Sequence, residues 1–437
     1  MVRPDGESAW ERLVAAPGPR GLIARGAGSG YGDCAQDAGG VVALTDCPHP
    51  TIDIDFGEGT VTVDAGVRLR DLMQRLVPSG WTLPVLPGTT EVSVGGAIAA
   101  DVHGKNHPTA GAFSACVEQL RLLTPGLGPL EVSPQEEPDV FWATVGGLGL
   151  TGVIRSARLR ARRLQTAWMV STDRVAANLS SVLQLLAEGH SGDHHVVAWL
   201  DAHRGGTSLG AGVVTTAREA AIADLPARRR TDPLSYPPQR ALPIPAFGRS
   251  VVRPAAVVVA NRAKWVLAHA QPHSRVMPLA SVLHPLDAIR AMPGLYGRRG
   301  LVQYQFVVPA GSESVLENAL SLPRRAGCPP ALAVLKMLGG ADPAPLSFPQ
   351  PGWTMALDFP AGAPGLAAVL DVLDEQVAAA GGRVYLVKDS RLRPDLLEAM
   401  YPGLRRWRVV RDVVDPDHLM NSDLNRRLNL AGRREAS

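Results

Sequence analysis

The chain has 437 residues, 46% of them hydrophobic and 19% charged, with a formal net charge of +3. That length exceeds a single core and predicts two or three domains. The composition excludes a disordered chain, and the near-neutral balance excludes the basic footprint of a nucleic-acid binder.

Cys34, Cys47, Cys116 and Cys328 show no CxxC or other metal spacing, which predicts reduced thiols rather than a disulfide frame or a zinc site. No apolar run reaches the ~18–20 residues of a spanning helix. The start, MVRPDGESAWERLV, lacks the apolar core of a secretory signal. A soluble cytoplasmic protein is expected.

In chain order, Ser8 to Ala15 predicts a helix with Ser8 as N-cap and Glu11 three residues on. Gly21 to Ala24 reads as a strand running into the loop Arg25–Asp33, RGAGSGYGD. No amphipathic helix follows, which disfavours a Rossmann fingerprint. Val41–Leu44, Thr51–Ile54 and Thr60–Val63 read as strands, and Leu69–Leu76 as an amphipathic helix. Val85 to Gly111, VLPGTTEVSVGGAIAADVHGKNHPTAG, is too rich in glycine for a helix interior.

A strand follows at Leu120–Thr124, then the glycine motif Phe141–Ile154 and an alternating, exposed strand at Ser156–Arg163. The glycine motifs thin out near Thr166. Val175–Ala187 predicts a helix, and Val196–Leu200 and Leu209–Val214 strands. Prolines crowd the stretch from Pro226 to Pro254, which predicts a long irregular loop. Its run Arg228–Arg230 could meet phosphate or an acidic membrane surface, or be a solvated face.

Further on, strands are expected at Val302–Val308, Leu332–Leu338, Thr354–Phe359 and Val384–Val387. Helices are expected at Ser314–Leu322 and Pro364–Ala379, with the proline in the first turn of the second.

The three glycine stretches share one chemistry. Glycine lets backbone approach a ligand closely and aims N–H groups at anions, so together they predict a cradle for a large phosphorylated cofactor. His103 and His107 lie four apart, but no carboxylate shares that spacing and Pro108 follows, so no metal is expected. His284, before Pro285, reads as a structural hydrogen-bonder. Trp199 reads as pocket wall or plain core.

RGAGSGYGD, VLPGTTEVSVGGAIAADVHGKNHPTAG, FWATVGGLGLTGVI, HPLD from His284, VQYQFVVP, APLSFPQPGW, VKDSR and SDLNRRL occur in this order between about Gly21 and Leu430. In them the chain resembles the vanillyl-alcohol oxidase (p-cresol methylhydroxylase) superfamily of FAD enzymes. The resemblance implies an α+β fold. A two-part FAD-binding domain, residues 1–166 and 383–437, would flank an inserted antiparallel-sheet substrate domain, 167–382.

By the same resemblance, Arg25, Gly26, Ala27, Gly28, Ser29, Gly30 and Tyr31, with Gly88 and Thr89, hold the pyrophosphate. Ser93, Gly95, Gly96 and Ala99 line the adenine and ribose side. Val102, His103, Gly104, Asn106, Ile154 and Tyr385 complete the cofactor contacts. Lys388, His103, Tyr31 and Lys105 are the implied catalytic set, Lys388 positioning the reacting hydroxyl or moving its proton. Gln303, Lys336, Thr354, Ala356, Leu283 and Lys388 are the implied substrate contacts.

Covalent members of the superfamily use a histidine in the first glycine loop. Ser29 stands there, so the expectation is non-covalent FAD.

The implied reaction is oxidation of a secondary sugar hydroxyl to a ketone, foremost the 2-hydroxyl of a polyprenyl-phosphoryl-ribose. A short-chain reductase partner would complete an epimerisation to arabinose, with a peripheral contact at the inner face of the membrane. Thr354, Ala356 and Leu283 depart from the pattern on the substrate side. They keep open a flavin oxidase of a soluble sugar, alditol, nucleoside or natural-product intermediate. A non-catalytic flavoprotein is the third reading. About twenty residues precede Gly21, fewer than the superfamily's usual first strand and helix, which points to a misassigned start or a trimmed subdomain.

Overall fold

A computed structural model describes residues 1–190, 194–239, 242–243, 250–270, 274–290 and 292–432. Two sheets organise it. The first has five antiparallel strands in the order Ile52–Asp55, Thr60–Asp64, Val153–Arg160, Val117–Thr124, Gly128–Val132. Beside it, Leu22–Arg25 and Val41–Leu44 form a parallel pair. The helix Leu69–Leu76 buries Leu69, Leu72, Met73 and Leu76, the face its spacing predicts.

The second sheet has eight strands, all pairs antiparallel. Their order is Ser274–Pro278, Trp168–Ala176, Gly212–Glu219, His195–Leu200, Leu332–Leu338, Gly352–Pro360, Leu301–Val308, Arg383–Val384. Period-two alternation gives it two unlike faces. Tyr304, Phe306, Ala333, Leu335, Met355, Leu357 and Phe359 point to one core, shared with the helices Leu179–Gly189, Glu313–Arg325 and Leu366–Ala379. Their sequence neighbours Gln303, Gln305, Lys336, Thr354, Ala356 and Asp358 point the other way, into a cavity.

The C-terminal segment returns to the N-terminal strands. Leu22 N–H donates to Leu419 O and Asn421 N–H to Leu22 O, each at 2.8 Å. Arg427 pairs with Asp33 and Asp389, at 2.8 and 2.9 Å. This fixes the VKDSR turn against the first glycine loop. There Gly32 is obligatory, since a Cβ would lie 1.8 Å from Asp389 O.

Several elements differ from expectation. The first helix spans Glu7–Ala15 with Gly6 at its N-cap and no side-chain cap, so Ser8 falls inside the first turn. Val94–Ala99 is helical despite its two glycines. Ser93 caps it by accepting the Gly96 N–H at 3.2 Å, and a Cβ on Gly95 would lie 2.9 Å from Ala65 Cβ, so close packing outweighs poor propensity.

Phe141 and Trp142 belong to the helix Pro138–Thr144, and the strand Val153–Arg160 is paired on both sides. The predicted helix Val175–Ala187 divides into the strand Trp168–Ala176 and a helix that Asn178 starts by capping Ser181 N–H. The predicted strand Leu209–Val214 lies at Gly212–Glu219. Pro364 lies before the helix Leu366–Ala379, whose N-cap is Gly365 in the left-handed region. The final strand is only Arg383–Val384.

In the proline-rich stretch, Ala227–Arg230 forms a helical turn and Leu242–Pro243 pairs with Ile289–Arg290; residues 240–241 and 244–249 lie outside the described residues. Pro254 opens a helix, Pro254–Ala270, that periodicity did not indicate.

Candidate active site

A cavity of about 1740 Å³ runs between the glycine segments and the polar face of the eight-stranded sheet. Pockets for drug-sized ligands measure roughly 300–1,000 Å³. The space therefore suits a large cofactor and a second molecule together.

Gly26 to Tyr31, Gly88, Thr89, Ser93, Gly95, Gly96, Ala99, Val102, His103, Gly104, Ile154 and Tyr385 all lie in its wall. So do Lys105, Gln303, Lys336, Thr354, Ala356 and Lys388. Three expected contacts are elsewhere. Arg25 folds back on its own loop, with Nη1 donating to Ala35 O at 3.4 Å. Asn106 is buried behind the wall and donates to Pro84 O at 3.0 Å. Leu283 packs in a hydrophobic core while its neighbours Val282 and His284 face the cavity, because the short helix Leu279–Leu283 turns it inward.

FAD fits this wall on the wall's own evidence. Among the described residues, the backbone N–H groups of Ala27, Gly28, Ser29 and Gly30 find no acceptor within the protein. Such a run of free amides suits a diphosphate. At Gly88 a Cβ would meet nothing nearer than Leu286 Cδ1 at 3.8 Å, which leaves that backbone open to a ligand. The opposite loop is braced: His284 Nδ1 donates to Pro87 O and Thr90 N–H to Asp287, each at 2.8 Å. His284 thus has the structural role expected of it, although it also borders the cavity.

At the sheet end the polar residues come from three adjacent strands. Gln303 is opposite Asp358, and Lys336 opposite Thr354. Gln303 Nε2 donates to Asp358 Oδ1 at 2.6 Å, while Asp358 Oδ2 is buried without a partner. Burial raises that carboxyl, with Gln303 and Lys388 working against the rise.

Thr354 gives its hydroxyl proton to Phe306 O at 2.9 Å, so it accepts from Gln305 Nε2 at 3.0 Å. The same amide then donates to His103 Nε2 at 3.2 Å. Burial, helped by Lys336, His107 and Lys388, holds His103 well below the usual histidine range and hence neutral. With Nε2 accepting, the proton sits on Nδ1, which is buried without a partner. His107 Nδ1 meanwhile accepts the Gly339 N–H at 3.0 Å.

Four lysines line the same space. Burial brings Lys336 down to about 7, helped by repulsion from Lys388 and Lys105. It brings Lys388 to about 8 against the pull of Asp358, and Lys105 to about 8 with help from Lys264. Lys264 reaches the cavity from the helix Pro254–Ala270 and lies 4.5 Å above the Trp199 ring. Trp199 is therefore pocket wall. Lys388 Nζ lies 5.9 Å from the rings of both Tyr31 and Tyr385. Tyr385 is held by Phe348, stacked at 4.5 Å, and by its hydroxyl donating to Ala100 O at 2.8 Å.

Gln305, Asp358 and Lys264 were not expected. The first two carried a signal, since Gln303–Gln305 and Thr354–Ala356–Asp358 are same-face steps along predicted strands. Lys264 carried none, because its helix was not foreseen. The run Arg228–Arg230 is largely engaged elsewhere: Arg229 lies 4.5 Å over the Trp168 ring and Arg230 donates to Leu225 O at 2.8 Å.

A family model described as an FAD binding domain matches residues 2–130. The decaprenylphosphoryl-beta-D-ribose oxidase of Mycolicibacterium smegmatis is 37% identical over 419 residues, covering 95% of this chain and 91% of that protein. An uncharacterized protein of Streptomyces coelicolor is 38% identical over 374 residues, 83% of this chain and all of its own length. The mitochondrial L-galactono-1,4-lactone dehydrogenase 2 of Oryza sativa subsp. japonica is 33% identical over 176 residues, 38% of this chain and 29% of its own. With an FAD cradle at one side of its cavity and a polar sheet at the other, the chain belongs to the family of the decaprenylphosphoryl-beta-D-ribose oxidase, FAD-dependent oxidoreductases acting on sugar CH–OH groups.

Proposed function

We propose that the chain oxidises a secondary hydroxyl of a polyprenyl-phosphoryl sugar, the 2-hydroxyl of ribose, to a ketone. The observation that carries this reading is the row Lys388, Lys336, Lys105 and Lys264 along one cavity. Beyond the effect of burial, Lys388 and Lys105 lower the proton affinity of Lys336, and Lys264 that of Lys105, as neighbouring like charges do. An anionic ligand would relieve that repulsion, and a phosphodiester supplies one next to the sugar. In this reading 1–166 and 383–437 bind the cofactor and 167–382 the substrate, as an inserted domain.

FAD, when bound, supplies the acceptor for the hydride of the carbinol carbon. The chain's part is to hold the hydroxyl and receive its proton. Two groups suit the proton: Lys388, neutral in part at about 8, and the free Oδ2 of Asp358. Neutral His103 offers its Nδ1–H as a fixed donor to a substrate oxygen, while Gln303 keeps Asp358 in place.

We infer non-covalent FAD. Ser29 occupies the first loop, and Cys34 in the cavity wall has its thiol pushed up to about 11 by burial, hence uncharged and unreactive. Acid precipitation should leave all yellow colour in the supernatant.

A second reading, a soluble sugar, alditol, nucleoside or natural-product intermediate, is favoured by Ala356, a cavity-lining position whose own side chain carries no polar atom. Flavin bleaching by a short prenyl-phosphoryl-ribose, set against ribitol and a free nucleoside, decides between them. Bleaching by ribitol alone would reject the first reading. No bleaching by any candidate would favour a non-catalytic flavoprotein. A short-chain reductase partner follows from the first reading, since its keto product needs reduction to become the epimer. Among the described residues no helix is long and apolar enough to cross a membrane. The proposed location is the cytoplasm, at the inner membrane face.

A further inference from the structure

No Asp or Glu occurs between Asp232 and Asp287, whereas Arg240, Arg249, Arg253, Arg262, Lys264 and Arg275 do. Within that stretch the helix Pro254–Ala270 has reversed amphipathicity. Asn261, Lys264 and Trp265 lie toward the protein, while Arg262 and His269 are exposed. Asn261 Nδ2 donates to Asp201 at 2.8 Å, Trp265 lies 4.2 Å beneath the Arg204 guanidinium, and Lys264 covers Trp199 in the cavity wall. Its apolar residues face outward. Val259 is 69% exposed, Leu267 54%, Val266 51% and Val258 48%. At 100° per residue Val259, Ala263, Val266 and Ala270 form one stripe, with the exposed Arg262 at its border.

We propose that this helix is a docking surface for an anionic lipid bilayer. It lies in the plane of the interface, Val259, Val266 and Leu267 entering the acyl boundary while Arg253 and Arg262 meet lipid phosphates. The choice of a bilayer over another occupant rests on three observations together: the outward apolar stripe, the acid-free basic sequence on either side of it, and the cavity that the same helix helps to line. Lys264 and residues Tyr236 to Gln239 line that cavity. The proposal rests on the lipid-linked reading of the substrate: a polyprenyl tail too long for the cavity would leave it beside this helix and remain in the membrane.

The test uses the full-length, FAD-loaded protein sedimented with vesicles of phosphatidylglycerol and phosphatidylcholine in equal parts, against pure phosphatidylcholine. Binding should favour the anionic vesicles and weaken with added salt. The double variant Val259→Asp, Leu267→Asp should lose binding by about tenfold or more, and Arg262→Glu by a smaller factor. Both should keep the flavin colour and the thermal midpoint of the parent, so that a folding defect is recognised.

Equal sedimentation with both vesicle types, or binding that survives both variants, would overturn the proposal. So would a dimer in light scattering that Val259→Asp dissociates, because the stripe would then belong to a second copy. Oxidation of a prenyl-phosphoryl sugar in detergent without any vesicle binding would reject the docking and keep the oxidase reading. Vesicle binding lost in the variants supports the docking whichever sugar is oxidised.

Discussion

Replacing Lys336 by methionine separates what this lysine does to the fold from what it does for a ligand. Burial brings its pKa down to about 7 in the folded chain, against the 10.5 of an ordinary lysine. Between those values the unfolded chain binds more protons, so Lys336 destabilises the substrate-free protein, and stability rises with pH across that window. Water in the open cavity screens part of the penalty, which leaves on the order of 2 kcal/mol at pH 7.

Lys336→Met keeps the chain length and removes the charge. The FAD-loaded variant should therefore melt a few degrees higher at pH 7, with a shallower rise of the midpoint toward pH 10. Its affinity for a short prenyl-phosphoryl sugar, read by flavin difference spectra, should fall by about 2–4 kcal/mol. Calorimetry in two buffers at pH 8 should show wild-type binding accompanied by proton uptake, since an anion restores the charge on lysines near 7 and 8. A variant that melts lower and binds the sugar as well as the parent would refute the reasoning.

Asp358→Asn removes a proton acceptor without changing shape. It should lower kcat by about a hundredfold or more if Asp358 is the base, while leaving the flavin spectrum alone; a near-normal kcat would leave Lys388 as the base. Gln305→Leu should release the His103 tautomer, lower kcat by about tenfold and shift the His103 ring nitrogens in NMR, and an unmoved imidazole signal would contradict the hold of Gln305 on that ring. Gly95→Ala forces a methyl against Ala65 and should cost about 1–3 kcal/mol, seen as a lower thermal midpoint with earlier flavin release; a midpoint equal to the parent's would count against close packing there.

The site was legible where chemistry and periodicity coincide. Glycine-dense loops announced a phosphate cradle because few side chains can sit where Gly32 and Gly95 sit. Gln303, Lys336, Thr354 and Ala356 converge as expected because their strands are adjacent and in register. The misses have physical causes. Val94–Ala99 is held helical by contacts with distant Ala65, a term that local propensity does not contain. Leu283 differs from Val282 and His284 only by the turn of a short helix. The helix Pro254–Ala270 escaped notice because its apolar stripe faces away from the protein, so the usual inference from apolar spacing to a buried face does not hold there.

The bridge from Arg427 to Asp33 and Asp389 has a consequence for biosynthesis. The first glycine loop is held to the turn that carries Lys388 by a residue made almost four hundred positions later, and the strand at Leu22, already paired with Val41–Leu44, gains its second set of partners only at Leu419 and Asn421. A nascent chain still attached to the ribosome therefore holds an unfinished nucleotide pocket. Cofactor capture becomes a post-translational event, and nonsense changes that remove Leu419 to Arg427 should yield colourless protein.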